Sequence, residues 1–269
     1  MKILIVSGFL GAGKTTFIKR LARNVDQRFA ILENEYGAAG IDGARLGQNR
    51  QGTQKNVWEM TEQCICCIGK KDFAASVLTI ANVVDPEYLI VEPTGVGSLA
   101  RIIENLRQIE YERIQLLSPV TIVDVYSYRR YMAEYPELYQ DQIRSADTII
   151  VSKTEACQAE EKQRIQKFLQ EINPQAKIIT DYASTMTRED YQSLLLGGRY
   201  EKEVQDTQSG EKMPETFSFE NIRMEAPETL WCFLEQIIRG AFGNIIRAKG
   251  QFAAGDQFLQ FDVADHRYS

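Results

Sequence analysis

The run Gly8-Phe9-Leu10-Gly11-Ala12-Gly13-Lys14-Thr15 is an unbroken G-x-x-x-x-G-K-[ST] pattern, placed directly after the apolar segment Ile3-Leu4-Ile5-Val6. A Gly-rich turn between a buried strand and a helix faces successive backbone N–H groups toward phosphate oxygens, and the helix N-terminus adds its partial positive charge. In that setting Gly11, Ala12, Gly13, Lys14, Thr15 and Thr16 cradle a nucleoside triphosphate. The Lys14 ammonium then reaches the β- and γ-phosphates and the Thr15 hydroxyl ligates Mg²⁺. Further on, Ile90-Val91-Glu92-Pro93-Thr94-Gly95 reads as a strand ending in an acidic residue with Gly close behind. There a carboxylate orients Mg²⁺ or its water while a Gly N–H faces the γ-phosphate, which makes Glu92 and Gly95 the candidates for those roles.

A second chemistry is written in Cys64-Ile65-Cys66-Cys67. Three soft thiolates within four residues suit Zn²⁺, Co²⁺, Ni²⁺ or Cu⁺, and a neighbouring cation such as Lys70 or Lys71 favours the deprotonated sulfur. A structural zinc site is normally closed by four ligands from two separated pairs, and no second C-x-x-C exists here. An incomplete set suits a carrier that must release its metal; a redox-sensing thiol cluster is the competing reading, and three buried small side chains the plain one. Between these motifs, Glu33-Asn34-Glu35-Tyr36-Gly37-Ala38-Ala39-Gly40-Ile41-Asp42 is small-residue-rich and acidic, the composition of a loop that changes with the γ-phosphate. Glu35 or Asp42 is placed to reach Mg²⁺ or a transferred metal, so Asp42 shares the Mg²⁺ role with Glu92.

The elements that must position these residues follow from periodicity. Short β-branched runs predict strands at Lys2–Val6, Phe29–Leu32, Asn56–Met60, Tyr88–Val91, Val120–Val123, Thr148–Val151 and Lys177–Ile179. Helical patterns fall between them at Thr15–Asn24, Asp72–Val83, Ala100–Leu106, Ser127–Glu134, Tyr139–Ser145 and Gln158–Ile172. This alternation predicts an α/β fold with a mainly parallel sheet, whose ligands bind beyond the carboxyl ends of the strands. Residues 1–198 form that body, and 199–215, polar with Gly197-Gly198 before it and Pro214 within it, reads as a linker or exposed loop. Residues 216–269 then make a small α+β appendage: a strand at Thr216–Met224, a helix at Pro227–Arg239, and strands at Asn244–Arg247 and Phe258–Val263. The stripe Trp231, Phe233, Leu234, Ile237 and Ile238 is assigned to core packing, and Cys157 and Cys232 to structural positions.

With 269 residues and 44% hydrophobic content, the chain is long enough for one large domain and a small companion. A net charge of -6 offers no basic footprint for nucleic acid or an anionic membrane. The apolar stretches are too short to span a bilayer, and Lys2 opens a strand that the phosphate loop requires rather than a leader. Five cysteines, three of them crowded together, argue against a disulfide framework and for a reducing, cytoplasmic setting.

Taken together, Gly8–Thr16, Asn34-Glu35-Tyr36-Gly37 with Gly40-Ile41-Asp42, the C-x-C-C run, Glu92-Pro93-Thr94-Gly95 and Val123-Asp124 resemble the CobW-like GTPases, relatives of HypB and UreG. The resemblance covers residues 1–180, and Arg247-Ala248-Lys249-Gly250 resembles the start of that family's C-terminal domain. It implies a SIMIBI-class P-loop domain that hydrolyses GTP, Cys64, Cys66 and Cys67 as ligands of a transition metal, and delivery coupled to nucleotide state. It also implies an apo-metalloprotein or cofactor-assembly client as partner, and a homodimer as a possible assembly. Where the family usually has Asn-Lys-x-Asp, this chain has Ser152-Lys153-Thr154-Glu155. Glu155 can accept from the guanine N1 and N2 groups and the Lys153 stem can lie against the ring, so guanine is preferred over adenine.

Other departures bear on the metal and the rate. Gln63 replaces a usual Gly and Ala38 a usual Glu, which leaves a thiolate-dominated site for Zn²⁺ or Co²⁺. The single histidine, His266, replaces no His-rich tract and is read as a solvated tail residue. No Gln or Arg finger is evident, so an isolated chain should be slow. Two rivals stand beside the metallochaperone: a nucleotide-dependent metal or redox sensor, and an ATP-using activator of a corrinoid protein or other metalloenzyme.

Overall fold

A computed structural model describes residues 1–27, 29–34, 57–62, 70–204, 214–215, 217, 219, 222, 226–254, 257–264 and 267–268. The sheet strands are β1 (Lys2–Gly8), β2 (Phe29–Asn34), β3 (Val57–Glu62), β4 (Tyr88–Glu92), β5 (Gln115–Leu116), β6 (Val120–Asp124), β7 (Thr148–Ser152) and β8 (Lys177–Ile179). They are ordered β3-β2-β4-β1-β6-β7-β8 with β5 beside β1, and every pair is parallel. The parallel order explains the sequence: a sheet covered on both faces needs near-continuous apolar strands, and Ile3, Leu4, Ile5 and Val6 are all 0% exposed.

The helix Lys14–Asn24 buries Phe17, Ile18 and Leu21 against Leu4, Val6, Phe29, Ile31 and Ile150, each large side chain contributing about 1.5–3 kcal/mol. Because all strands run the same way, the last residues of β1, β2, β4, β6 and β7 come out at one edge. Register fixes the neighbours there: Glu33 is opposite Glu92, and Asp124 opposite Ser152.

Each expected strand of the body is present, most of them running one or two residues further. Three elements among the described residues of this body were not foreseen: β5, and the helices Tyr182–Thr185 and Arg188–Leu196. The last starts in a capping box, with the Thr187 hydroxyl accepting from the Asp190 N–H and the Asp190 carboxylate from the Thr187 N–H. The expected exposed loop from Arg199 also gives way at its start. Leu117 bridges to Arg199, the Tyr200 N–H donates to the Leu116 carbonyl at 2.8 Å, and the Tyr200 hydroxyl donates to the Ser145 carbonyl at 3.0 Å. Burial pushes the Tyr200 phenol up to about 12.

The chain divides into two compact units, the second beginning at Glu215. Its helix Pro227–Ile238 accompanies an antiparallel sheet of β9 (Arg247–Ala254), β10 (Gln257–Ala264) and β11 (Arg267–Tyr268), ordered β11-β10-β9. Leu230, Leu234, Ile237 and Val263 form its core. Three expectations are corrected here. Of Thr216–Met224 the described residues Phe217, Phe219 and Ile222 are in no strand; the strand placed at Asn244 begins at Arg247; and Trp231 is 64% exposed rather than packed. Cys157 is half-buried and Cys232 exposed, so neither is a core residue. Among the described residues no helix is long and apolar enough to cross a membrane.

Candidate functional site

The phosphate loop joins β1 to the helix Lys14–Asn24 through Gly11 at φ 70° and Gly13 at φ 99°. Gly13 holds the helix cap position without a side-chain cap, so the first-turn N–H groups stay directed out of the helix end. Ala12 is buried, Thr16 exposed. Lys14, only 6% exposed, folds back over the loop and its ammonium donates to the carbonyls of Gly8 at 2.9 Å and Phe9 at 3.3 Å. The Thr15 hydroxyl donates to the Glu92 carboxylate, 3.0 Å from Oε1 and 3.2 Å from Oε2. The buried Glu33 carboxyl lies on the neighbouring strand in register with Glu92. A hydroxyl and carboxylates at the carboxyl edge make a hard oxygen set, the donor chemistry that suits Mg²⁺.

Gly95 is buried against this loop: a Cβ added to it would lie 2.5 Å from the Leu10 nitrogen and 2.9 Å from its Cα. Two backbones can approach so closely only because no side chain intervenes. Under the loop, the Phe9 ring packs on Tyr131 and Tyr139, with centroids 4.1 and 5.8 Å away. Burial raises the Tyr139 phenol well above its usual range, with the Asp124 charge adding to it.

The segment Ser152–Glu155 is tied to the phosphate loop from the other side. The Ser152 hydroxyl, 2% exposed, donates to the Ala12 carbonyl at 2.6 Å. Lys153 takes a left-handed backbone at φ 60°, and its ammonium pairs with the buried Asp124 carboxylate at 2.5 Å. Glu155 is exposed and Thr154 buried. After β8, Asp181 at φ 58° stands just before the helix Tyr182–Thr185 without a side-chain capping bond, and Tyr182 packs on Phe17 of the phosphate-loop helix at 5.7 Å.

Asp181 pairs with the Lys162 ammonium at 2.5 Å. That hydrogen bond holds its carboxyl below the usual carboxylate range; burial opposes the shift and Thr154 assists it. A folded-state pKa below the unfolded one adds stability above the unfolded range, and that stability is lost as pH falls through the folded value. Asp181→Asn should therefore lower Tm at neutral pH and flatten the acid limb of the stability curve below about pH 4. An acid limb identical to that of the unaltered chain would contradict the pairing.

Lys14, Thr15, Glu92 and Gly95 are thus gathered at one place, and Lys153 with Glu155 follows the end of β7, separated from β1 by β6. Glu35, Asp42, Cys64, Cys66 and Cys67 lie outside the described residues, as do Gln63, Ala38 and His266. Among the described residues no group of three His, Cys, Asp or Glu side chains could hold a metal. The sequence reading passed over Ser152 as a link to the loop, and Asp141, Gln142 and Asp181 altogether. Only Asp181, beside a strand end, carried any signal, because the partners of the others are distant in the chain.

A parallel sheet with a Gly-Lys-Thr loop after its first strand and an acidic strand end beside it defines the P-loop nucleotide-binding class. The chain belongs to the CobW/HypB/UreG nucleotide-binding domain family, which it matches over residues 2–180. It is 30% identical over 178 residues to the zinc chaperone YeiR of Escherichia coli (strain K12), covering 65% of this chain and 53% of that protein. It is 27% identical over 194 residues to the zinc chaperone CobW of Pseudomonas aeruginosa, covering 61% and 52%. The chain spans about half the length of these curated relatives. In fold it is similar to the crystal structure of Zn(II)-bound YjiA GTPase from E. coli, with a TM-score of 0.55 at 19% identity, covering 100% of this chain and 87% of that one.

Proposed function

We propose that this chain binds and slowly hydrolyses GTP, and that nucleotide state governs the binding and delivery of a transition metal held by Cys64, Cys66 and Cys67. The observation that carries the first half is the Thr15 hydroxyl seated on the Glu92 carboxylate beside a loop-embedded Lys14. The second half rests on the thiolate cluster together with membership of a family in which the relatives named above are zinc chaperones.

In this reading Lys14 turns from the Gly8 and Phe9 carbonyls to the phosphate oxygens, and the loop N–H groups of Gly11–Thr16 neutralise charge that builds as water attacks in line. Thr15 and Glu92, with Asp42 as the other candidate carboxylate, hold Mg²⁺, which when bound neutralises the β- and γ-phosphates. Gly95 N–H meets the γ-phosphate, the Lys153 stem covers the base, and Glu155 accepts from the guanine edge. Residues 1–198 are the nucleotide unit and 216–269 a recognition unit for an apo-metalloprotein client. Zn²⁺ or Co²⁺ is the cargo, the setting is cytoplasmic, and two chains associating as a homodimer would supply the activation that one lacks.

The test is calorimetric. Zn²⁺ affinity should differ about tenfold between the GDP state and a non-hydrolysable GTP analogue, a coupling of the usual allosteric size. Cys66→Ser with Cys67→Ser should weaken Zn²⁺ and Co²⁺ by at least about 100-fold, since a serine hydroxyl is not ionised at neutral pH and is a harder donor. Unchanged metal affinity in the double variant would sink the metal reading, and ATP binding as tightly as GTP would sink the assignment of Ser152–Glu155.

A further inference from the structure

The helix Pro136–Arg144 carries two adjacent buried polar side chains, Asp141 at 5% and Gln142 at 1% exposure, that the chemistry above does not use. The Gln142 side-chain nitrogen donates to the carbonyls of Gly95 and Gly97, both at 3.0 Å. The Asp141 carboxylate accepts from the N–H of Leu99 at 2.6 Å and of Ala100 at 3.4 Å, the first turn of the helix Leu99–Arg107. Between those two grips the loop closes on itself, with the Gly97 N–H donating to the Thr94 carbonyl at 3.1 Å. Separately from these side-chain grips, the Gln142 backbone carbonyl accepts from the Thr121 hydroxyl of β6 at 2.8 Å. On its other side the same loop presses on the phosphate loop, backbone against backbone, at Gly95 and Leu10.

We propose that Gln142 is a positioning residue for the γ-phosphate, locking Gly95–Gly97 against the phosphate loop before nucleotide arrives. This rests on the nucleotide reading above. A buried amide that only needed partners could take any two carbonyls; here both belong to the loop that touches the phosphate loop, flanking Val96. Fixing the Gly95 carbonyl restricts the backbone of the residue whose N–H meets the γ-phosphate. The ordering cost is then met on folding instead of on binding. Asp141 anchors the far end of the loop by capping the helix that follows it. The consequence is selective: a triphosphate uses the locked Gly95, whereas a diphosphate has no group there.

The experiment uses the full chain. Gln142→Met keeps an unbranched buried side chain of similar length but donates no hydrogen bond. It should lower affinity for a non-hydrolysable GTP analogue and the single-turnover hydrolysis rate about tenfold each, while GDP affinity stays within about twofold. Thr121→Val removes a different hydrogen bond to the same residue and should leave the GDP-to-analogue ratio unchanged, which separates latch from general packing. Equal losses for both nucleotides in Gln142→Met, or the same ratio change in Thr121→Val, would overturn the proposal. Should Gln142→Met not fold, hydrogen exchange in the unaltered chain decides. The Gly97 amide should be equally slow in both nucleotide states, and exchange more than about tenfold faster with GDP would refute a preformed latch. An unaltered chain that bound neither nucleotide would remove the nucleotide reading itself, and the latch with it.

Discussion

Lys14→Ala is expected to lower GTP affinity by about 10²- to 10³-fold and to abolish measurable hydrolysis, the size of effect seen when one preorganised charge-stabilising donor is lost. The ammonium is already inside the protein, 6% exposed and bonded to the Gly8 and Phe9 carbonyls. Its desolvation is therefore complete before a ligand arrives, and turning to a phosphate oxygen exchanges neutral acceptors for a charged one. The fold should tolerate the change, because burying an ammonium carries a desolvation cost that alanine does not. Lys14→Arg should not rescue: a planar guanidinium is wider than the ammonium that the loop encloses. Calorimetry with GTP and GDP, beside a thermal melt of each variant, checks both statements. GTP affinity within about threefold of the unaltered chain, with Tm unchanged, would show that Lys14 is not at the phosphates.

Much of this site was legible because its signals are local. Gly8–Thr15 is contiguous, Glu92 ends an apolar strand, and the β-branched runs that become β1, β4, β6 and β7 are buried on both faces, so composition alone marks them. What was not legible depends on partners far along the chain. Gln142 is one more polar residue in an amphipathic helix until Gly95 and Gly97, 47 and 45 positions away, are brought against it. Ser152 looks like a weakened Asn-Lys-x-Asp until its hydroxyl is found on the Ala12 carbonyl, 140 positions away. The polar tract at Arg199–Lys202 resembles a linker by composition, yet Tyr200 finds Leu116 and Ser145. Trp231 fails for the opposite reason: helical spacing marked it as core, but the core cluster of the small second unit is Leu230, Leu234, Ile237 and Val263, and Trp231 stays outside it. In a unit that small most side chains stay near the surface, whatever their periodicity.

Gly95→Ala should cost at least about 100-fold in hydrolysis and lower Tm, for a reason different from that at Gly13 of the phosphate loop. Its added Cβ would fall 2.5 Å from the Leu10 nitrogen and 2.9 Å from its Cα, closer than real contacts allow and against backbone that cannot rotate aside. One of two things must move. If the Gly95–Gly97 loop retreats, the Gln142 bonds to Gly95 and Gly97 stretch and the Gly95 N–H leaves the γ-phosphate. If the phosphate loop retreats, the Lys14 cradle opens and GDP affinity falls as well. Gly13→Ala separates steric from conformational cost, since its Cβ would meet only Ser152, at 3.8 Å, while its φ of 99° disfavours any side chain. That variant should lose stability and weaken GDP and GTP together, because Gly13 shapes the turn beneath both. Measuring GDP and analogue affinities for the two variants side by side resolves them. A Gly95→Ala chain with unaltered hydrolysis would mean that the close approach to Leu10 is not part of the catalytic arrangement.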